Sequence, residues 1–261
     1  MSPQIVNQQD WIEASKVLLE KEKKLMRAAD DLSAARRELP MVRIDKPYSF
    51  LPATTSSAAA VAPLSLSDLF DGMDQLIVYH FMFAPGDDDE GRDVCRGCTH
   101  VAESLPDARH LRSRRTQLAC VSRAPPARLA AYQERCGWTD TFPWYSTAAD
   151  PDNAFNRDFH VSVDQGSAGA YAGTPGSLLN FRSRAEVAAL GRRPYTGEYF
   201  GFSVFWKDEE GRVFHTYSTY GRGVERVSAT FALLDITPLG RQDMPEGPAA
   251  FKVRHEYEKE A

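Results

Sequence analysis

The chain has 261 residues, 43% hydrophobic and 26% charged, enough for one large α/β domain with additions, or two small ones, and a sizeable core. A formal charge of −5 argues against nucleic acid as the main partner, because phosphate binding wants a concentrated basic surface. No apolar stretch approaches the roughly 18 residues of a membrane span, and residues 1–10 lack the basic-then-apolar order of a secretory signal, so a cytoplasmic chain with no membrane partner is expected.

Residues 10–39 are good helix formers without Gly or Pro, and Pro40 ends the run. Trp11, Leu18, Leu25, Leu32 and Leu39 recur every seven residues, with Ala14, Ala28 and Ala35 three residues after some of them. That seam is narrower than the stripe of an ordinary core helix, and it leaves two readings: an amphipathic helix lying across its own domain, or an arm that joins two copies into a homodimer. Residues 42–50 alternate as a strand, residues 51–63 form a low-complexity loop, and Ser67 caps a short helical turn ending at Gly72. The run at 76–83, Leu-Ile-Val-Tyr-His-Phe-Met-Phe, is apolar on both faces apart from His80. Such a strand belongs inside a sheet covered on both sides, which favours parallel neighbours.

A Pro-Gly-acidic loop then leads to Cys95-Arg96-Gly97-Cys98. Residues 100–115 read as a helix, 117–122 as a second buried strand, 127–135 as a helix opened by Pro125-Pro126 and closed by Gly137, and 142–146 as a third strand. This is a βαβαβ order. Residues 150–198 read as an irregular insertion with one helix at 183–190, followed by a hairpin of 200–206 and 212–217, a closing helix at 224–234 and a polar tail. The expected organisation is a helical arm over 1–40, an α/β domain over 41–240 and a C-terminal tail over 241–261.

Four cysteines are too few for a disulfide scaffold, and in a reducing compartment a close pair means redox chemistry or metal. At a helix start the first sulfur can face solvent while the second lies in the first turn. The helix dipole and Arg96 would favour a Cys95 thiolate, the reactive species, whereas the acidic run 87–90 opposes it if folded nearby. Cys120 and Cys136 read as small buried hydrophobes. His80 shares a strand face with Leu76, Val78 and Met82, and a buried imidazole needs a partner. His215 is flanked by the hydroxyls of Thr216, Tyr217, Ser218, Thr219 and Tyr220. If both strands flank the cysteine loop, His80, His215, Cys95 and Cys98 converge, for acid/base assistance to thiol exchange or for binding copper or zinc. Arg96, Tyr217, Tyr220 and Arg222 are the candidate substrate contacts.

The segment 63–83 resembles the opening of peroxiredoxins and other thioredoxin-like domains. More closely, Leu76-Ile-Val-Tyr-His-Phe-Met-Phe, Val121-Ser-Arg-Ala-Pro and Val213-Phe-His-Thr-Tyr-Ser-Thr-Tyr-Gly-Arg-Gly together resemble the thioredoxin-like family DUF899, over about residues 10–240. The resemblance implies a thioredoxin-like α/β fold with a central mixed sheet, an N-terminal helical arm and an inserted loop region. The chain departs from its relatives where they tend to carry Gly-Cys-Pro-Ser-Cys, since Arg96-Gly97 stands between its cysteines. The threonine that peroxiredoxins place three residues before the reacting cysteine is Arg92 or Cys95 here, and no proline stands near Phe200, where thioredoxins carry a cis-proline. The leading expectation is a thiol-disulfide oxidoreductase or thiol-dependent reductase that needs no cofactor: Cys95 attacks, Cys98 resolves, His80 or His215 moves protons, and a small thiol or protein dithiol is the donor. A copper- or zinc-binding protein and a non-catalytic binding module are the alternatives.

Overall fold

The apolar run ahead of the cysteines becomes a central strand because both of its faces find cover. The computed structural model describes residues 4–55, 61–86, 94–163, 180–192, 195–242, 244 and 247–257. In order its elements are α1 (Gln8–Arg37), β1 (Val42–Arg43), β2 (Leu51–Pro52), β3 (Gln75–His80), α2 (Arg96–Glu103), α3 (Ala108–Arg112), β4 (Thr116–Ser122), α4 (Pro126–Arg135) and β5 (Trp144–Ser146). They continue with α5 (Ala154–Asp158), β6 (Ser162–Val163), α6 (Arg184–Ala189), β7 (Gly197–Glu198), β8 (Gly201–Lys207), β9 (Val213–Tyr220), α7 (Ala229–Asp235) and α8 (Arg254–Tyr257).

Seven strands form one sheet in the order β1-β9-β8-β3-β4-β5-β2, and β6 and β7 pair separately. The neighbours β3, β4 and β5 run parallel, while β8 pairs antiparallel with β3 and continues into the β8–β9 hairpin. A βαβ unit whose first strand is flanked on its other side by an antiparallel hairpin is the thioredoxin-like core.

Alternation along β3 divides the interior into two cores. Tyr79 and Phe81 face α2 and α4, packing with Cys98, Val101, Leu129, Tyr132 and Trp144. Leu76 and Val78 face the other side, with Leu69, Phe70, Phe155, Phe159 and Phe205. Each of these large side chains contributes about 1.5–3 kcal/mol by leaving water, so β3 is the strand the fold can least do without.

Several elements differ from their sequence-based expectation for local reasons. The strand expected at 42–50 is two short pieces, a β1 pairing with β9 and a bridge from Phe50 to Leu64, because Pro47 lies between them. The helix expected at 100–115 is two: Pro106 ends the first, and the Asp107 side chain caps the second by accepting the Arg109 N–H at 2.9 Å. The closing helix is a 3-10 stretch over Gly221–Val227 followed by α7. In the insertion, Ser183 and Glu186 form a reciprocal capping box that starts α6. The Gly-rich stretch near 166–176 and the acidic run 87–90 lie outside the described residues.

Gly201 is the tightest point of the sheet. It sits between His80 and Tyr220 in register, and a Cβ there would lie 2.6 Å from the Thr219 carbonyl oxygen and against the Tyr220 ring. Backbone cannot move aside as a flexible side chain can. Gly201→Ala is therefore expected to lower unfolding stability by about 2 kcal/mol in urea titrations, and an unchanged midpoint would contradict this packing.

Candidate functional site

The cysteine pair occupies the first turn of α2, at the end of the sheet to which β3 delivers the chain. Cys95 is the N-cap: its Sγ accepts the Cys98 N–H at 3.2 Å, and its carbonyl accepts both the Thr99 N–H at 3.0 Å and the Thr99 hydroxyl at 3.1 Å. Thr99 is in turn held by the Tyr132 hydroxyl at 2.8 Å. The helix start aims the Cys98 N–H at the Cys95 sulfur and so favours negative charge there.

The two sulfurs are unequal. Cys95 is half-buried and Cys98 is buried; all four cysteines are thiols. Burial pushes the Cys98 thiol well above its ordinary range, and its hydrogen bond to Cys95 and the charge on Cys95 push the same way, against the Met82 N–H and the Tyr79 hydroxyl. Cys98 thus stays protonated within hydrogen-bonding reach of Cys95. Tyr79 is itself buried and kept neutral, its phenol raised first by burial and then by Cys98. Tyr195 stands on the outer side. Its hydroxyl donates to the Glu198 carbonyl, and its phenol is raised by burial first, then by Glu198, Tyr199, Cys95 and Cys98. Glu198 also accepts from Arg123 at 2.6 Å and from Ser162 at 3.0 Å, on the rim of a cavity of about 610 Å³. Tyr79 and Tyr195 were not among the sequence candidates; Tyr79 could have been found from its alternation with His80, whereas Tyr195 sits in an insertion with no periodic signal.

The C-terminal segment lies over this helix. A methyl on Gly97 would touch Pro248 at 3.5 Å, the Ala249 nitrogen at 3.6 Å and Cys95 Sγ at 3.9 Å. Phe251 stacks on His100 at 4.4 Å, Val253 is buried in the cysteine-side core, and Glu103 accepts the Arg254 N–H at 3.1 Å. Residues 247–257 are therefore a packed strap rather than a free polar tail. Arg96, expected to support the Cys95 thiolate or meet a substrate, is paired with Glu256 at 2.8 Å, which offsets its charge.

His80 and His215 do not join the cysteines, which corrects the expected convergence. Both point to the opposite core. His80 packs against Phe155 and Phe159, with ring centroids 5.5 and 6.2 Å away, and His215 lies 5.2 Å from Phe159. They are joined to each other instead: His80 Nε2 lies 2.8 Å from Ser203 Oγ, Ser203 Oγ 2.9 Å from Ser218 Oγ, and Ser218 Oγ 2.7 Å from His215 Nε2. His215 Nε2 also meets the Tyr217 carbonyl at 3.1 Å, and a carbonyl only accepts, so that nitrogen carries the proton. Tyr220 shares this side, its hydroxyl donating to the Phe159 carbonyl at 2.8 Å. Tyr217 lies under Arg36, and Arg222 points to solvent beside Glu225. The four residues considered for copper or zinc are thus split between two faces of a sheet, and among the described residues no three His, Cys, Asp or Glu side chains come together to hold a metal.

Burial pulls the His80 imidazole down to about 3, with His215 and His160 adding to the effect, and pulls His215 down to about 4 against the Tyr217 carbonyl. Unfolded histidine titrates near 6.5, so between about pH 6.5 and pH 4 the unfolded chain binds more protons than the folded one. Their stabilising contribution is complete above about pH 6.5 and is lost as pH falls toward 4. Urea unfolding at pH 7.5, 6 and 5 should show a loss approaching about 1.4 kcal/mol per pH unit for each such histidine, and His80→Gln should remove one share of that slope. A pH-independent wild-type midpoint over this range would contradict neutral buried imidazoles.

Among the described residues no helix is long and apolar enough to cross a membrane. No curated protein matches the chain. Among solved structures it is similar to a mutant of peroxiredoxin Q from Xanthomonas campestris, at 15% identity, covering 73% of this chain and 90% of that one with a TM-score of 0.40. It is also similar to peroxidoxin BcpB from Mycobacterium tuberculosis, at 14% identity, covering 74% of this chain and 98% of that one with a TM-score of 0.38. The family model described as "Bacterial protein of unknown function (DUF899)" matches residues 1–257, and with that match the chain belongs to the DUF899 family.

Proposed function

We propose that the protein is a thiol-disulfide oxidoreductase, or a thiol-dependent reductase, working through Cys95 and Cys98. The observation that carries this reading is their inequality: a half-buried sulfur at a helix N-cap beside a buried thiol that burial keeps protonated. In the forward direction the Cys95 thiolate attacks one sulfur of a disulfide. A mixed disulfide forms, the substrate S–S bond breaks, and the other substrate sulfur leaves as a thiolate. Cys98 then attacks Cys95 Sγ, giving up its proton to the second departing sulfur, so that one substrate disulfide becomes one thiolate and one thiol and the pair becomes a disulfide. A small thiol or protein dithiol returns the two electrons.

Tyr79 takes the place that the histidines were expected to fill. Its neutral phenol, within hydrogen-bonding reach of Cys98, can donate to a thiolate as it forms without adding charge to the site, whereas the Tyr195 hydroxyl is committed to the Glu198 carbonyl. Tyr79→Phe should slow the resolving step more than the attack, because the Tyr79 hydroxyl touches Cys98.

Cys95→Ser is expected to reduce dithiol-dependent disulfide turnover to the uncatalysed background. Cys98→Ser keeps the first attack and should accumulate a mixed disulfide on Cys95, visible as an adduct by mass spectrometry. Full turnover by the Cys95→Ser protein, or no adduct on the Cys98→Ser protein with any small disulfide, would sink the reading.

A further inference from the structure

Helix α1 is the longest element of the chain, and none of its residues is buried. Its charged back face is self-contained, with Glu13–Lys16 and Glu20–Lys23 pairs at 2.8 and 3.0 Å and an Asn7 cap accepting the Asp10 N–H at 3.0 Å. Its front face is not. Leu18, Leu25 and Leu32 are 55%, 72% and 49% exposed, one heptad apart. Toward its own body α1 contributes the Arg36 contact over the Tyr217 ring, whereas the leucines of its apolar seam gain nothing from tertiary packing, the main source of helix stability in proteins. The repeat of seven residues, rather than the 3.6-period stripe of a core helix, is the pattern of a helix paired with another helix.

We propose that α1 pairs antiparallel with α1 of a second copy of this chain. The seam itself selects both the occupant and the direction. Three residues after each large side chain stands a small one or a lysine: Ala14 after Trp11, Lys21 after Leu18, Ala28 after Leu25, Ala35 after Leu32. In a parallel pair like meets like, so Lys21 would face the partner's Lys21 in the seam and alanine layers would leave gaps. Turned antiparallel and centred near Met26 and Arg27, Leu25 fills the space over the partner's Ala28 and Leu18 the space over the partner's Ala35. Leu32 is then covered by the stem of the partner's Lys21, whose ammonium can reach water.

The flanks agree with this register. Lys24 lies opposite the partner's Asp31, and the symmetry repeats the pair; Glu22 meets the partner's Ala29, and Ser15 the partner's Arg36, so no like charges face each other beside the seam. The bodies follow the C-terminal ends of the two helices, and the antiparallel arrangement sends them to opposite ends of an overlap of about three heptads.

Light scattering on the full chain under reducing conditions tests this, with circular dichroism to verify that each variant is folded. The wild type should show twice the 29.1 kDa chain mass. Leu25→Glu with Leu32→Glu should show the single-chain mass with the near-UV spectrum of the body unchanged. Lys24→Asp, which sets two acidic residues opposite each other twice, should weaken dimerisation about tenfold, and adding Asp31→Lys should restore it. A wild type that stays single-chain in mass at tens of micromolar, or a dimer indifferent to the leucine substitutions, overturns the pairing. A Lys24→Asp, Asp31→Lys chain no tighter than Lys24→Asp alone overturns the register.

Discussion

The two-sided burial of β3 is the constraint on which the rest of the structure depends. Successive residues of a strand point to opposite faces, so Tyr79 and Phe81 are committed to the core that holds Cys98, and Leu76, Val78 and His80 to the core built on Phe155 and Phe159. The chain leaves β3 on the cysteine side, where α2 packs. A single residue of register would exchange the two sets and bury His80 beside the thiols. Register is fixed here by pairing on both edges, His80 with Val121 of β4 and with Gly201 of β8, and by the close approach at Gly201, which leaves no room for a side chain.

Much of this was legible in the sequence. The apolar run at 76–83, the cysteine pair at a helix start, the parallel order that follows and the hairpin that closes the sheet all carry local signals: hydrophobic runs, a proline opening α4, and an acidic Gly-ending turn. What could not be read is which face of the sheet each later element covers. His80 is expected from the sequence to be buried with a partner and His215 to stand among hydroxyls on a later strand; β8 lies between their two strands, and Ser203 and Ser218 supply the hydroxyls that link them. Their separation from the cysteines follows from α2 packing on one face while the insertion's α5 packs on the other. Nothing in a period-two pattern assigns those sides.

The C-terminal strap was illegible for a different reason. Arg96 and Glu256 stand 160 residues apart, and Phe251 and Val253 sit among charged neighbours with no periodicity to announce burial. The contact changes the chemistry in two ways. It ties up the only cation in the first turn of α2, leaving the helix N-H groups as the main support for a negative Cys95, and it sets Pro248 and Ala249 over the helix next to Cys95. The breaks at Pro47 and Pro106 carry a local signal that the expected strand over 42–50 and helix over 100–115 run through, each a proline inside a run that propensity alone continues.

The central claim is that the fold separates four chemically identical side chains into one reactive thiol and three inert ones. Burial raises Cys98 and Cys120 well above the ordinary thiol range and pushes Cys136 up to about 12, while the Cys95 sulfur accepts a helix N–H and is partly open to solvent. Residue-resolved alkylation of the reduced native protein at pH 7, read by peptide mass spectrometry, measures that separation directly. The account predicts that Cys95 is modified first, faster than a free model thiol, with Cys98, Cys120 and Cys136 protected until the protein unfolds. A Cys95 no faster than the model thiol, or labelling spread evenly over the four cysteines, would contradict it.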